Sequence, residues 1–275
     1  MIPQRPQQLI QRLICGDCLA EMAKMPDDSV GLVFGSPPYE DCRTYGIGFK
    51  LKGQEWVDWM VEVYRQSLRV CKGLVAFVVQ GKTCKYKWSC TPAFLIADLH
   101  RAGFNVRNPP VFNRFGIPGS GSIDWLRSDY EWIVCVSHPG RLFWSDNTAC
   151  GGAPKYKAGG KLTCRKKSGE RVNHKDQGVW GIYEETTKCN PGNVLSIPVG
   201  GGIMGNPLCH ENEAPFPEKL AEFFIKSFCP LGGVVLDPFL GSGTTVAVAK
   251  RLGRGYIGID IRQSQIELTE RRLVE

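Results

Sequence analysis

The chain has 275 residues, 43% hydrophobic and 22% charged, the balance of a folded protein large enough to bury a core of its own. No apolar run approaches the roughly 20 residues of a membrane span, and Met1-Ile2-Pro3-Gln4-Arg5-Pro6 lacks a signal-peptide core, so a cytoplasmic protein is expected. A net charge of +7 and a pI near 8.8 tilt the chain toward a polyanionic partner without excluding other classes.

Twelve cysteines are scattered singly, as free and mostly buried thiols would be. Cys15-Gly16-Asp17-Cys18 has CxxC spacing, but no second CxxC or CxxH pair accompanies it, so no metal site is expected.

In chain order, Leu13-Ile14-Cys15 reads as a strand ending at Gly16-Asp17. Leu19, Met22, Ala23 and Met25 follow with a helical period until Pro26-Asp27-Asp28 breaks it. Val30–Phe34 is a buried strand that runs into Ser36-Pro37-Pro38-Tyr39. Two prolines cannot continue a ladder, so the turn is stiff. It presents a hydroxyl, a carbonyl and an aromatic face. That set suits a flat polar ring with an exocyclic amine, and it equally describes a strand-ending turn with a packing tyrosine.

Residues 41–53 have no period and read as a loop over a site. Trp56, Val57, Met60, Val61, Val63, Tyr64, Leu68 and Val70 predict an amphipathic helix stopping near Gly73. Leu74–Val79 is an apolar strand followed by a charged turn, Gln80 to Tyr86. Pro92–Gly103 predicts a helix. Asn105–Phe112 and Tyr130–Val136 predict two strands joined by a glycine-rich loop, Gly116 to Ser122. Alternating strands and helices argue a doubly wound α/β fold with a mostly parallel sheet.

Between Pro139 and Pro215 the pattern lapses. Arg141, Lys155, Lys157, Lys161, Arg165, Lys166, Lys167, Arg171 and Lys175 cluster there, interleaved with Trp144, Tyr156, His174, Trp180 and Tyr183. Basic and aromatic residues on irregular backbone suit phosphate contact and base stacking. A solvated insertion would look much the same.

Order then returns. Pro217–Phe228 predicts a helix, Val234–Asp237 a buried strand, and Pro238-Phe239-Leu240-Gly241-Ser242-Gly243-Thr244-Thr245 a glycine turn. A helix from Thr245 to Leu252, a strand from Gly255 to Asp260 and a helix from Gln263 to Leu273 complete the chain. This is the architecture of a nucleotide-type cofactor site, with Asp260 placed to accept from ribose hydroxyls. A dinucleotide fingerprint would want glycine where Val246 stands, and Asp237 would repel a pyrophosphate. The same Asp237 would welcome an ammonium, and Thr244, Thr245 and the helix N-terminus would take a carboxylate. Ribose, ammonium and carboxylate together describe S-adenosylmethionine.

Asp-Pro-Phe-Leu-Gly-Ser-Gly-Thr-Thr (237–245) with Ser-Pro-Pro-Tyr (36–39) resembles the amino-group DNA methyltransferases. The order of catalytic turn, variable basic region and glycine turn resembles their circularly permuted beta class. The resemblance implies a class I methyltransferase fold, with residues 1–139 and 206–275 as the catalytic domain and 140–205 as an inserted target-recognition region. It implies that Ser36, Pro37, Pro38 and Tyr39 are catalytic. Asp17 and Cys18 would meet the cofactor adenine, Asp260 with Ile261 the ribose, and Phe216 and Pro217 the methionine end. Pro238, Phe239, Gly241, Ser242 and Gly243 would complete that site. The cofactor would be S-adenosylmethionine, leaving S-adenosylhomocysteine, and the partner double-stranded DNA.

In such families serine ahead of Pro-Pro-Tyr mostly accompanies N4-cytosine methylation, and aspartate or asparagine N6-adenine methylation. Ser36 therefore implies cytosine N4 in a flipped base, with adenine N6 as the alternative. An RNA or protein-amide methyltransferase and a catalytically idle nucleic-acid-binding module are remoter readings. Carbon-5 methylation is excluded because it needs a cysteine nucleophile, usually as Pro-Cys, and no Pro-Cys dipeptide exists in the chain. The resemblance leaves open monomer or homodimer, a restriction endonuclease partner, and a nucleoid, phage or mobile-element setting.

Overall fold

The structure is a computed structural model that describes residues 9–40, 48–115, 124–154, 163–173, 186–200, 202–212 and 214–274. β1 (Gln11–Cys15) leads into Asp17, which caps α1 (Cys18–Ala23) by accepting the Ala20 N–H at 2.9 Å. β2 (Val30–Gly35) is buried along its whole length. α2 (Gln54–Val70) turns Trp56, Val57, Met60, Val63 and Tyr64 inward, the stripe its helical period required.

β3 (Cys71–Val79) follows α2 without a break. The helix does not reach the glycine stop expected near Gly73, because Cys71 already pairs with Val30 of β2 and the ladder overrides the local signal. A small hairpin, β4 (Thr83–Cys84) and β5 (Lys87–Trp88), precedes α3 (Thr91–Arg101). Residues 105–112, expected as one strand, are split at Pro109-Pro110, whose nitrogens cannot donate to a ladder. The pieces, β6 (Asn105–Arg107) and β7 (Val111–Phe115), pair separately with β8 (Tyr130–Ser137). The glycine-rich loop expected at 116–122 lies outside the described residues.

The stretch read as irregular contains three further strands: β9 (Thr163–Arg165), β10 (Arg171–Asn173) and β11 (Val194–Pro198). A 3-10 turn, Pro207–Glu211, comes before α4 (Glu218–Phe228). β12 (Val234–Asp237), α5 (Thr244–Arg251), β13 (Gly255–Asp260) and α6 (Gln263–Val274) stand where the pattern placed them.

The main sheet runs β1-β13-β12-β2-β3-β8-β7-β11, with β6 also on β8. Its pairs from β1 to β3 are parallel, while β8 is antiparallel to β3, β6 and β7. The sheet is therefore mixed and mostly parallel. Side chains alternate between its faces. Leu32, Phe34, Leu74, Ala76 and Val78 pack with Leu220, Phe224 and Val248 on one side. Val33, Val75, Phe77 and Val79 pack with Met22, Trp56, Tyr64 and Leu95 on the other.

The chain forms two compact units, Met1–Asp146 with Gly192–Glu275, and Asn147–Pro191. β11 lies within 140–205 yet joins the main sheet, so the separate unit is narrower than that span. By itself the smaller unit contains the antiparallel β9–β10 hairpin, and the Cys189 N–H donates to Gly152 at 3.0 Å. Among the described residues no helix is long and apolar enough to cross a membrane.

Candidate active site

Parallel strands deliver their carboxyl ends to one edge of a sheet, and ligands bind there. At that edge the segments after β1, β2 and β12 and the end of β13 enclose a cavity of about 250 Å³. Ser36, Pro37, Pro38, Tyr39, Asp17, Cys18, Pro238, Phe239, Gly241, Asp260 and Ile261 all line it. Two segments about two hundred residues apart in sequence thus share one space, because β2 and β12 are neighbours in the sheet.

The turn after β2 is held from several sides. The Trp56 indole N–H donates to the Pro38 carbonyl at 2.9 Å. The Ser36 hydroxyl lies 3.2 Å from the Val78 carbonyl and 3.2 Å from the Tyr39 hydroxyl. Because a serine hydroxyl has one proton, giving it to Val78 leaves oxygen lone pairs able to accept from a ligand. The Tyr39 hydroxyl donates to Glu131 at 3.0 Å, and Glu131 pairs with Arg114 at 2.9 Å. Just beyond the turn, buried Glu40 accepts from Thr91 and from the Gly53 N–H, both at 2.8 Å, pinning the end of the loop before α2.

On the other wall, Asp260 accepts the Gly241 N–H on one carboxylate oxygen and the Arg262 N–H on the other, each at 2.9 Å. A carboxylate has about four acceptor sites, so capacity remains for donors from the cavity. Gly241 and Gly243 carry φ of 52° and 74°, the left-handed region glycine enters without a Cβ penalty. A Cβ on Gly243 would lie 2.4 Å from the Thr269 side chain. Cys18 lines the cavity as a neutral thiol, pushed up to about 12 by burial and by nearby Asp17.

The remaining expected cofactor residues lie behind this wall. Asp237 is 1% exposed and its carboxylate accepts the Phe239 N–H at 3.0 Å. Burial pushes it up to about 7, with the Thr245 hydroxyl and the Phe239 N–H acting against that rise. Gly35 leaves it room, since a Cβ there would stand 2.3 Å from an Asp237 oxygen. Thr244 and Thr245 are buried and do not line the cavity. Instead, buried Arg272 donates to the Thr244 hydroxyl and the Ser242 carbonyl, both at 3.0 Å, and to Glu218 at 2.6 Å. Burial opposes the charge of Glu218, but the Arg251 and Arg272 guanidinium groups hold its carboxyl below the ordinary range. Phe216 packs edge-on against Phe34 at 5.5 Å, and Pro217 caps α4.

Sequence reasoning missed Gly16, Phe49, Leu51, Trp59, Asn212, Ala214 and Arg262 in the lining. It also missed Glu131, Arg114 and Arg272 as supports. Trp59 and Phe239, 5.7 Å apart, form an aromatic wall, yet in the sequence Trp59 belongs only to a helix with a tryptophan-rich start. Of the basic cluster, Arg165, Lys166, Lys167 and Arg171 are exposed on or beside the β9–β10 hairpin, where Lys166 pairs with Glu170 at 3.1 Å. Arg141 is exposed in the larger unit. Lys155, Lys157, Lys161 and Lys175 lie outside the described residues, as do Tyr156, His174, Trp180 and Tyr183.

The model of the DNA methylase family of N6 and N4 methyltransferases matches residues 30–271. The chain belongs to that family. This DNA amino-methyltransferase is 29% identical over 276 residues to the DNA adenine methyltransferase YhdJ of Escherichia coli (strain K12), covering 98% of this chain and 85% of that protein. Its fold is similar to the PvuII DNA methyltransferase (cytosine-N4-specific), with a TM-score of 0.68, 21% identity and coverage of 96% and 86%. It is also similar to a DNA modification methylase of Thermus thermophilus solved with S-adenosyl-L-methionine, with a TM-score of 0.61, 23% identity and coverage of 96% and 95%. The fold is the class I methyltransferase fold.

Proposed function

We propose that the methyltransferase uses S-adenosylmethionine to methylate the exocyclic N4 amine of a cytosine flipped out of duplex DNA. The observation that carries this reading is the single cavity in which Ser36–Tyr39 faces Asp260 and Gly241. The residues fit the cofactor on chemical grounds. Asp260 has spare acceptor capacity for ribose hydroxyls, and Phe239 and Trp59 offer an apolar wall for a purine. When bound, S-adenosylmethionine supplies an electrophilic methyl group.

The chain's own residues do the rest. The Ser36 oxygen and the Pro37 carbonyl accept the two amine N–H bonds, which directs the nitrogen lone pair into the cavity. Trp56 occupies the neighbouring Pro38 carbonyl, so the turn offers Pro37 in one register. The Tyr39 ring stacks on the base while Glu131 holds its hydroxyl. An aromatic amine is a weak nucleophile, so alignment and the acceptors facing developing positive charge supply most of the acceleration. The nitrogen gains a methyl group and loses a proton, with no covalent enzyme intermediate.

Cytosine rests on Ser36 at the head of the turn. Adenine N6 is the second reading, favoured by the E. coli relative named as an adenine methyltransferase. Target recognition is assigned to 140–205, with Arg165, Lys166, Lys167 and Arg171 of the smaller unit and Arg141 on phosphates. Duplex DNA places the enzyme in the cytoplasm with the chromosome or an incoming replicon. The test is to incubate DNA with enzyme and cofactor, digest it to nucleosides and identify the product by mass. N4-methylcytidine supports the reading, N6-methyladenosine replaces it with the second, and no methylated nucleoside refutes both.

A further inference from the structure

The β4–β5 hairpin lies outside the cavity lining and outside the basic region assigned to target recognition. Its register, Thr83 opposite Trp88 and Cys84 opposite Lys87, leaves Lys85 and Tyr86 as a two-residue loop. Both are left-handed, with φ of 47° and 65°. Hairpins of this type strongly prefer Asn-Gly or Asp-Gly, because side chains beyond Cβ are strained there. Lysine and tyrosine at both positions give up that preference. What the strain displays is a tyrosine side chain at the tip, 88% exposed.

The stem is firmly built. The Ser89 N–H donates to the Lys82 carbonyl at 2.9 Å, and the Ser89 hydroxyl accepts the Lys82 N–H at 3.1 Å. Ser89 also contacts Thr91, which donates to buried Glu40 immediately after the catalytic turn. The hairpin begins four residues after β3, a reach of at most ~13 Å of chain, on the edge where β2 and β3 both end. Val78, whose carbonyl holds Ser36, is the next-to-last residue of β3. From Gln80 to Thr91 the sequence has three lysines and no acidic residue, and Lys85 and Lys87 are exposed.

An exposed aromatic tip on a rigid, cationic stem beside the catalytic turn matches the devices by which proteins enter a base stack and hold its phosphates. We propose that this hairpin is a second DNA-contacting element. Tyr86 enters the duplex at the target step and takes the stacking place the extruded base leaves, while Lys85 and Lys87 bind the flanking phosphates. The inference rests on the base-flipping reading above.

The probe is a duplex oligonucleotide carrying the sequence that the wild-type enzyme methylates in plasmid DNA, used matched or with the target base mispaired. Tyr86→Ala should slow single-turnover methylation of the matched duplex by about tenfold or more, and mispairing, which lowers the cost of extrusion, should bring it within about threefold of wild type. Tyr86→Phe, which keeps the ring, should stay near wild type on both. Replacing Lys85 and Lys87 by alanine should reduce the salt dependence of DNA binding by about two phosphate contacts. Equal slowing on matched and mispaired duplex, full speed of Tyr86→Ala on matched duplex, or an unchanged salt slope in the lysine variant would overturn the proposal. Failure of the base-flipping reading would appear separately, as a wild-type enzyme that gains nothing from a mispaired target.

Discussion

Asp237→Asn tests the electrostatics beneath the glycine turn. The carboxyl is buried, accepts the Phe239 N–H and is pushed from 3.8 up to about 7 by desolvation. Folding therefore raises its proton affinity, and the native state holds a proton that the unfolded chain has released between those values. Stability must then fall as pH rises through this window. Integrating the linkage for one group from 3.8 to about 7 gives a loss of about 2.5 kcal/mol between pH 5 and pH 7.5. Asparagine keeps an oxygen for the Phe239 N–H but carries no proton equilibrium. The assay is urea unfolding of both proteins at pH 5 and pH 7.5. The variant should show a pH dependence smaller by about that amount and should be the more stable of the two at the higher pH. If the two proteins keep parallel pH profiles, Asp237 is ionised in the folded chain across the range and the desolvation reasoning fails.

Ser36→Ala removes the acceptor facing the amine and should lower single-turnover methylation by about a hundredfold or more, with cofactor affinity measured by calorimetry nearly unchanged. Asp260→Ala should weaken S-adenosylmethionine binding by about 2 kcal/mol, the scale of hydrogen bonds to a charged group; unchanged affinity in the same titration would contradict the ribose assignment. Glu131→Gln keeps the size but loses the ion pair with Arg114, and should lower kcat by about tenfold through a looser Tyr39, while KM for the cofactor stays put. Arg272→Met strips Glu218 of one of two buried cationic partners and leaves Ser242 and Thr244 unpaired, and should cost about 3 kcal/mol in urea unfolding.

Runs such as Val30–Phe34 and Val234–Asp237 can only be interior strands, and glycines 241 and 243 can only be a turn, so these elements and the turn motifs were legible from local chemistry. Boundaries moved where long-range pairing overruled a local signal, as at Gly73, or where two prolines interrupted a strand, as at 109–110. The sense of β8 was not legible either. An apolar strand looks alike in either direction, and its antiparallel pairing depends on which neighbours it meets.

Residue types and their order along the chain were enough to name the chemistry: an amine-gripping turn, a ribose acid, and a family resemblance that the family match then supported. Which of these residues face the ligand was decided by packing. Thr244 and Asp237 belong to the same motif as Gly241, yet they serve the scaffold, because α6 brings Arg272 onto Thr244 and the sheet closes over Asp237. Glu131 and Trp56 acquire meaning only when β8 and α2 set them against Tyr39 and Pro38. A linear pattern records backbone preference and polarity, whereas a partner ninety residues away is chosen by the fold.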